Sequence, residues 1–351
     1  MFEYLSPEVS QEAEVVTPPE LLLVGYNPAS SASMGLVNKL AKSSEELSVP
    51  VNFFEVSIDP LETATIVHNK LDEDLPAWLL LVGGDGTPAG SWLPIQQDPD
   101  IPESLVNLPV GLLGGGGLGE NLKKASMGKR RVSLSKILDR GRIVEIFPNE
   151  LNIRTEDDKE TKRHFLTVAG VGATAAAAAA INQEGNRQKF VRRRFGKLGR
   201  IVADGPVVAS EIIKAKDFNI YDEFDKQKSL RELIFLNASE VAHLIRSPHI
   251  TLEDNPHNLE IGGSRNQVFW LGKIALTLGK LRLGGIAPSL SPSERLLSDY
   301  TFVNGDNPLP YQIDGEDKIG GEALMLPPNS EVTVRQSKTP LKLLATRKPL
   351  G

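Results

Sequence analysis

Leu79-Leu80-Leu81-Val82-Gly83-Gly84-Asp85-Gly86-Thr87 is the stretch on which the reading of the fold turns. Four consecutive apolar residues followed by glycines describe a buried strand of a parallel sheet covered on both faces. Glycines at the carboxyl end of such a strand allow positive φ and a close approach of backbone to ligand. That edge of an open α/β sheet is where ligands bind. Asp85 then stands where a carboxylate can hold a metal ion or take a proton from a hydroxyl. Taken alone, the motif is equally compatible with a tight strand-to-loop turn in which Asp85 is merely the polar residue.

The flanking sequence supports the sheet. Glu20 to Tyr26 is an apolar run that empties into Asn27-Pro28-Ala29-Ser30-Ser31-Ala32-Ser33, a turn rich in small hydroxyls. Gly35 to Leu47 and Pro60 to Leu71 have apolar residues at helical spacing, and Val51 to Val56 reads as a strand. Leu108 to Leu113 is another apolar run, ending in Gly114-Gly115-Gly116-Gly117-Leu118-Gly119. Strands alternating with helices predict parallel βαβ units, so residues 20–145 are expected to form an α/β domain.

Beyond about residue 140 the pattern changes. Strands are expected at 142–147, 150–155, 163–169, 232–237, 258–261 and 267–270. Others follow at 301–303, 310–313, 322–326, 331–335 and 341–345, separated by turns such as Asn304-Gly305-Asp306. Residues 146–351 therefore read as a mainly antiparallel second domain, with the last residues free to return to the first. One helical insertion is expected at about 174–215, where Ala175 to Ala180 have high helix propensity and Thr174 is a candidate N-cap.

Composition narrows the function. The chain has 351 residues, 40% hydrophobic and 24% charged, enough for a sizeable core in two domains. Asp and Glu outnumber Lys and Arg by 45 to 39, a net charge of -6 that disfavours nucleic acid as a partner. With no cysteine there is no disulfide, thiolate zinc site or cysteine nucleophile. Residues 1–19 are acidic and proline-bearing, and are expected to be a disordered extension rather than a signal peptide. No apolar run approaches the roughly 18–20 residues that span a bilayer, so a cytoplasmic protein is expected. The composition is compatible with peripheral contact at the inner membrane face.

Four places together resemble the diacylglycerol kinase catalytic-domain family, which includes bacterial lipid kinases and sphingosine kinases. They are Asn27-Pro28-Ala29-Ser30, the signature Gly83-Gly84-Asp85-Gly86-Thr87, the glycine loop after Leu108–Leu113, and Gln312-Ile313-Asp314-Gly315-Glu316 following Tyr300-Thr301-Phe302. The stretch Val168 to Ala203 also follows the family's order of strand, glycine turn and small-residue helix. The resemblance implies an amino-terminal α/β domain of NAD kinase/diacylglycerol kinase type, a β-sandwich domain, and an active site in the cleft between them. It implies an ATP- and Mg2+-dependent lipid kinase that moves the γ-phosphoryl group to the hydroxyl of a lipid or lipid-like alcohol. Asn27, Pro28, Ser30, Ser31, Gly83, Gly84, Gly86, Thr87, Gly116, Gly117 and Glu120 would then line the nucleotide. Asp85 and Glu316 would be catalytic, and Asp85 with Asp314 would be the metal ligands. Arg193 and Arg194, in the richest basic cluster, would contact phosphate or a lipid headgroup. Such a set suits phosphoryl transfer, which depends on positioning and charge neutralisation.

The chain also departs from that pattern. Gly90 occupies the position three residues after Thr87 where relatives place a glutamate. Gly116-Gly117-Leu118-Gly119-Glu120 replaces a Gly-Thr-Gly-Asn-Asp element, Ser31 replaces a glycine, and Thr174 stands where many relatives have an aspartate. These changes define a second reading, a catalytically weakened protein that binds nucleotide or lipid as sensor or scaffold. A third, NAD kinase-like, reading shares the Gly-Gly-Asp-Gly signature but lacks an Asn-Glu pair after it. Asp314-Gly315 is also ordinary hairpin-turn chemistry, and the basic cluster is also an ordinary solvated helix face.

Overall fold

The computed structural model describes residues 18–28, 31–57, 59–71, 75–83, 86–96, 98, 100–115, 126–127, 133–182, 210–211, 214–237, 240–241, 245–246, 257–262, 294–295, 299–316, 318–319 and 322–346. The amino-terminal extension through residue 17, the strand expected at 267–270 and residues 183–209 of the helical insertion lie outside the described residues.

The first half contains β1 (Leu21–Tyr26), α1 (Ser31–Ser44), β2 (Val51–Glu55), α2 (Pro60–His68), β3 (Ala77–Gly83), α3 (Gly86–Ser91), α4 (Leu93–Gln96), α5 (Glu103–Val106), β4 (Val110–Gly115), α6 (Leu134–Arg140) and β5 (Arg142–Ile146). Each of the seven residues of β3 is buried, and successive side chains serve opposite faces. Ala77, Leu79 and Leu81 pack with Ala64 and Val67 of α2 and with Leu93 and Ile95 of α4. Trp78, Leu80 and Val82 pack with Val37 and Leu40 of α1 and with Leu134 and Ile137 of α6. The two-residue period of a strand thus explains the uninterrupted apolar run, because helices cover both faces. Helix starts are set locally. Asp59 accepts from the Leu61 amide at 3.0 Å with Pro60 at the first helical position, and Ser133 accepts from the Lys136 amide at 3.3 Å.

The second half contains β6 (Asn149–Arg154), β7 (Glu160–Phe165), β8 (Val168–Gly172), α7 (Ala173–Asn182), β9 (Phe218–Asp222), β10 (Gln227–Leu236), β11 (His257–Gly262), β12 (Tyr300–Asn304), β13 (Leu309–Ile313), β14 (Met325–Leu326) and β15 (Glu331–Gln336), and ends in β16 (Leu341–Ala345). The first sheet runs β2-β1-β3-β4-β16-β5. Its strand last in the chain, β16, is parallel to β4 and antiparallel to β5.

The second sheet differs from a sandwich of two separate sheets. It is one 11-stranded sheet, with the path β14-β13-β8-β10-β9-β12-β15-β6-β7, β11 beside β10, and the two-residue strand Glu294–Arg295 beside β11. It curls around a single core containing Leu151, Phe165, Val171, Phe235, Phe302 and Val334. Strand β10 turns the corner. Its first residues pair with β9 and its last with β8, and the register shifts between Leu230 and Glu232. Such irregularities bend a strand and let it pass from one layer to the next. Strand β9 and the start of β10 escaped the sequence reading, although Phe218 and Ile220 alternate with Asn219 and Tyr221 in the half-buried manner. The strand expected at 163–169 is broken at Leu166-Thr167, for a reason that lies in the site.

Candidate active site

The carboxyl ends of three neighbouring parallel strands open on one edge of the first sheet. Tyr26 at the end of β1 lies beside Val82 of β3, and Gly83 lies beside Gly115 of β4. Tyr26, Gly83 and Gly115, the last residues of their strands, therefore lie on one edge. The chain leaves β1 outward to β2, then returns to build β3 and β4 on the other side, so this edge is a topological switch point.

Local packing explains two glycines here. A Cβ on Gly83 would lie 2.6 Å from the Cβ of Thr87 and closer still to its hydroxyl oxygen, so Thr87 folds back over a bare backbone. Thr87 is held in turn as the first turn of α3 closes, with the Ser91 hydroxyl donating to its carbonyl at 2.6 Å. On β4, Gly114 has φ +82° where the pairing with β3 skips one residue, which re-aims the end of the strand. Gly90 is different: a Cβ there would meet nothing within 4 Å. Ser31 opens α1. Ser30, Gly84, Asp85, Gly116, Gly117, Glu120, Arg193 and Arg194 lie outside the described residues.

The Asp-Gly-Glu element is a tight hairpin at the end of β13. Asp314 (φ +51°) and Gly315 (φ +89°) are both in the left-handed region, as a two-residue turn of the primed type requires. Ile313 and Glu316 close it with amide-to-carbonyl bonds of 3.0 and 2.8 Å. Glu316 is exposed, whereas Asp314 is buried. One Asp314 oxygen accepts from the Leu166 amide at 2.9 Å. The other accepts from the Thr167 amide at 2.7 Å, the Thr167 hydroxyl at 2.6 Å and the Val168 amide at 3.0 Å. Burial pushes the Asp314 carboxyl above its ordinary value even against these four hydrogen bonds, which act to lower it. Both oxygens face the chain's own donors, the setting of a backbone anchor. Among the described residues no group of three or more His, Asp or Glu could hold a metal ion.

This anchor breaks the strand expected at 163–169. With three successive amides turned toward one carboxylate, Leu166 and Thr167 cannot continue the ladder of β7. Leu166 instead enters the core of the first sheet, alongside Trp92, Leu93 and Ile95 just beyond the signature loop. Asp314 therefore ties the hairpin that carries Glu316 to a residue packed under the first sheet's helices.

Glu232 was missed by the sequence reading as a site residue. It is 1% exposed, on β10 opposite Gly172, and its carboxyl accepts from the Thr174 amide at 2.6 Å and from the Thr174 hydroxyl. A further bond from the Ala173 amide completes a cap on α7 supplied from another strand. Burial wins over these bonds and pushes the carboxyl up to about 8. The available signal was a carboxylate inside the apolar run Leu230-Arg231-Glu232-Leu233-Ile234-Phe235-Leu236, where an acid needs a buried partner. Gly172, with φ +102°, makes the turn from β8 into α7.

No family model and no curated protein matches the sequence. The structure does have solved counterparts. A crystal structure of a diacylglycerol kinase from Bacillus anthracis str. Sterne aligns with 94% of this chain and 98% of its own, at a TM-score of 0.55 and 13% identity. Two further structures of a provisionally assigned diacylglycerol kinase from the same organism align over 93% and 94% of this chain, at the same TM-score and identity. The agreement spans both sheets, and the chain carries the two-domain fold seen in diacylglycerol kinases.

Proposed function

We propose that the protein is an ATP-dependent kinase that transfers the γ-phosphoryl group to the hydroxyl of a lipid or lipid-like alcohol. The observation that carries this reading is the convergence of Asn27, Gly83 and Gly115, each at the carboxyl end of its strand, on one edge of the sheet at its switch point. Glycine-rich strand ends and small side chains there suit the phosphates of a nucleotide. Gly83 shapes this end of the strand, because only a bare backbone lets Thr87 pack over it.

In this reading Asp85 acts on the attacking hydroxyl or on the magnesium that accompanies ATP. Glu316, exposed on its hairpin, is the second base or a nucleotide contact. Asp314 is assigned to anchoring that hairpin, since its oxygens already face four donors. Bound magnesium would neutralise charge on the transferring group. Arg193 and Arg194 are proposed as phosphate or headgroup contacts.

A second reading, binding without transfer, is favoured by Gly90, whose surroundings are open where relatives place a glutamate. Purified protein given labelled ATP, magnesium and a panel of diacylglycerol, long-chain bases and NAD separates the possibilities. Label on a lipid supports the kinase reading. Nucleotide binding without transfer supports the second, and labelled NADP would point to an NAD kinase-like enzyme. Among the described residues no helix is long and apolar enough to cross a membrane.

A further inference from the structure

The Glu316 hairpin is connected to the start of α7 through one small patch on the outer face of β8. Gln312 sits opposite Gly170 in the pairing of β13 with β8, and it is 5% exposed. Its side-chain oxygen accepts from the Gly315 amide at 2.7 Å, closing the turn from inside. Its amide nitrogen lies over Gly170, 3.1 Å from where a Cβ would be. The Thr174 hydroxyl lies 2.6 Å from that same point and the Glu232 carboxylate 3.6 Å from it. Gly170 is thus bare because Gln312 and Thr174 converge there, with Glu232 holding Thr174 from behind.

The geometry points to Gln312 as a positioning residue for Glu316, braced across Gly170 by the Thr174–Glu232 pair. This rests on the reading of Glu316 as part of a phosphotransfer site. Gln312 touches no reacting atom. It fixes the backbone of Gly315 and hence the direction in which Glu316 leaves the turn. Asp314 anchors the hairpin as a whole to residues 166–168, but Gly315 is exposed and a glycine can leave its conformation at no steric cost, so a bond of this kind narrows its choice. A displacement of about 1 Å at a catalytic group is enough for roughly a hundredfold loss of rate.

The test uses the full chain and two substitutions. Gln312→Met keeps the length of the side chain and removes the acceptor, whereas Gln312→Glu keeps an acceptor for the Gly315 amide. Hydrogen exchange at Gly315 is followed in 15N-glycine-labelled protein, and kcat and KM are measured with labelled ATP and whichever lipid of the panel accepts label. The expected result is faster Gly315 exchange in Gln312→Met, with kcat lowered about tenfold to a hundredfold and KM for ATP within about twofold. Gln312→Glu should recover both readouts to within about threefold, because the acceptor is retained. Gly170→Ala, which presses on Gln312 and Thr174 together, should speed Gly315 exchange in the same way.

Unchanged Gly315 exchange in Gln312→Met would overturn the inference whatever the activity. Faster exchange with an unaltered kcat would overturn it equally, since the turn would then not matter to the reaction. A wild-type protein that transfers no phosphoryl group defeats the kinase reading alone, and the exchange comparison still decides whether Gln312 sets the turn.

Discussion

Replacing Glu232 with Gln should remove most of the pH dependence that this buried acid imposes on stability. The carboxyl is 1% exposed and moves from its ordinary 4.5 to about 8 on folding. A folded-state value above the unfolded one means that the native protein keeps its proton while the unfolded chain releases it. The contribution to stability is therefore whole below 4.5 and is lost as pH rises through about 8. The slope is about 1.4 kcal/mol per pH unit, or about 5 kcal/mol over the full interval. The Asp314 carboxyl, also raised by burial, acts in the same direction, whereas His164, lowered by burial, acts oppositely as pH falls below its ordinary 6.5. Both remain in the variant, so the difference between the two proteins isolates Glu232. Gln reproduces the protonated acid, with a carbonyl to accept from Thr174 and an N–H to donate to its hydroxyl, so the cost near about pH 5 should be on the order of 1 kcal/mol. Urea denaturation at about pH 5 and about pH 8 should show the stability difference shifting by about 4 kcal/mol in favour of Glu232→Gln at the higher pH. Parallel pH profiles in the two proteins would refute the reasoning, because Glu232 would then be titrating as it does in the unfolded chain.

Asp314→Asn should destabilise by about 1–3 kcal/mol in urea denaturation, because an amide nitrogen would face backbone N–H donors that now meet a carboxylate. Backbone strain is not the cause, since Asn tolerates the left-handed conformation as Asp does. Gly315→Ala should cost about 1 kcal/mol, read as a lower urea midpoint, because φ is +89° there but a Cβ would meet no neighbour within 4 Å. Gly83→Ala must displace Thr87 and should cost about 1–3 kcal/mol, with weaker nucleotide binding by calorimetry.

The first sheet was legible because its strands announce themselves. Leu79–Val82 is apolar at every position for the physical reason that helices lie on both sides, and its length and flanking glycines decide the rest. The final strand at Leu341–Ala345 was legible as a strand, yet its place between β4 and β5 depends on pairing across roughly 200 residues of chain or more, which local pattern does not encode. The curl of the second sheet was hidden for a similar reason: one register shift near Arg231 does the work of a break between two sheets. In the site, Asp314-Gly315 carried two meanings that sequence could not separate, and only the four donors from residues 166–168 show what the carboxylate does. Glu232 and Gln312 were invisible as a pair because β8 lies between their strands, and the glycine that lets them approach is silent in sequence.

The central claim is that a phosphoryl group is transferred next to Asp85, and the most direct test is the rate of label transfer from ATP to a lipid alcohol by wild type and Asp85→Asn. Wild type should show measurable magnesium-dependent transfer, and the variant a kcat lowered by roughly 10²–10⁴-fold with ATP still bound. Equal transfer rates in the two proteins would contradict that claim.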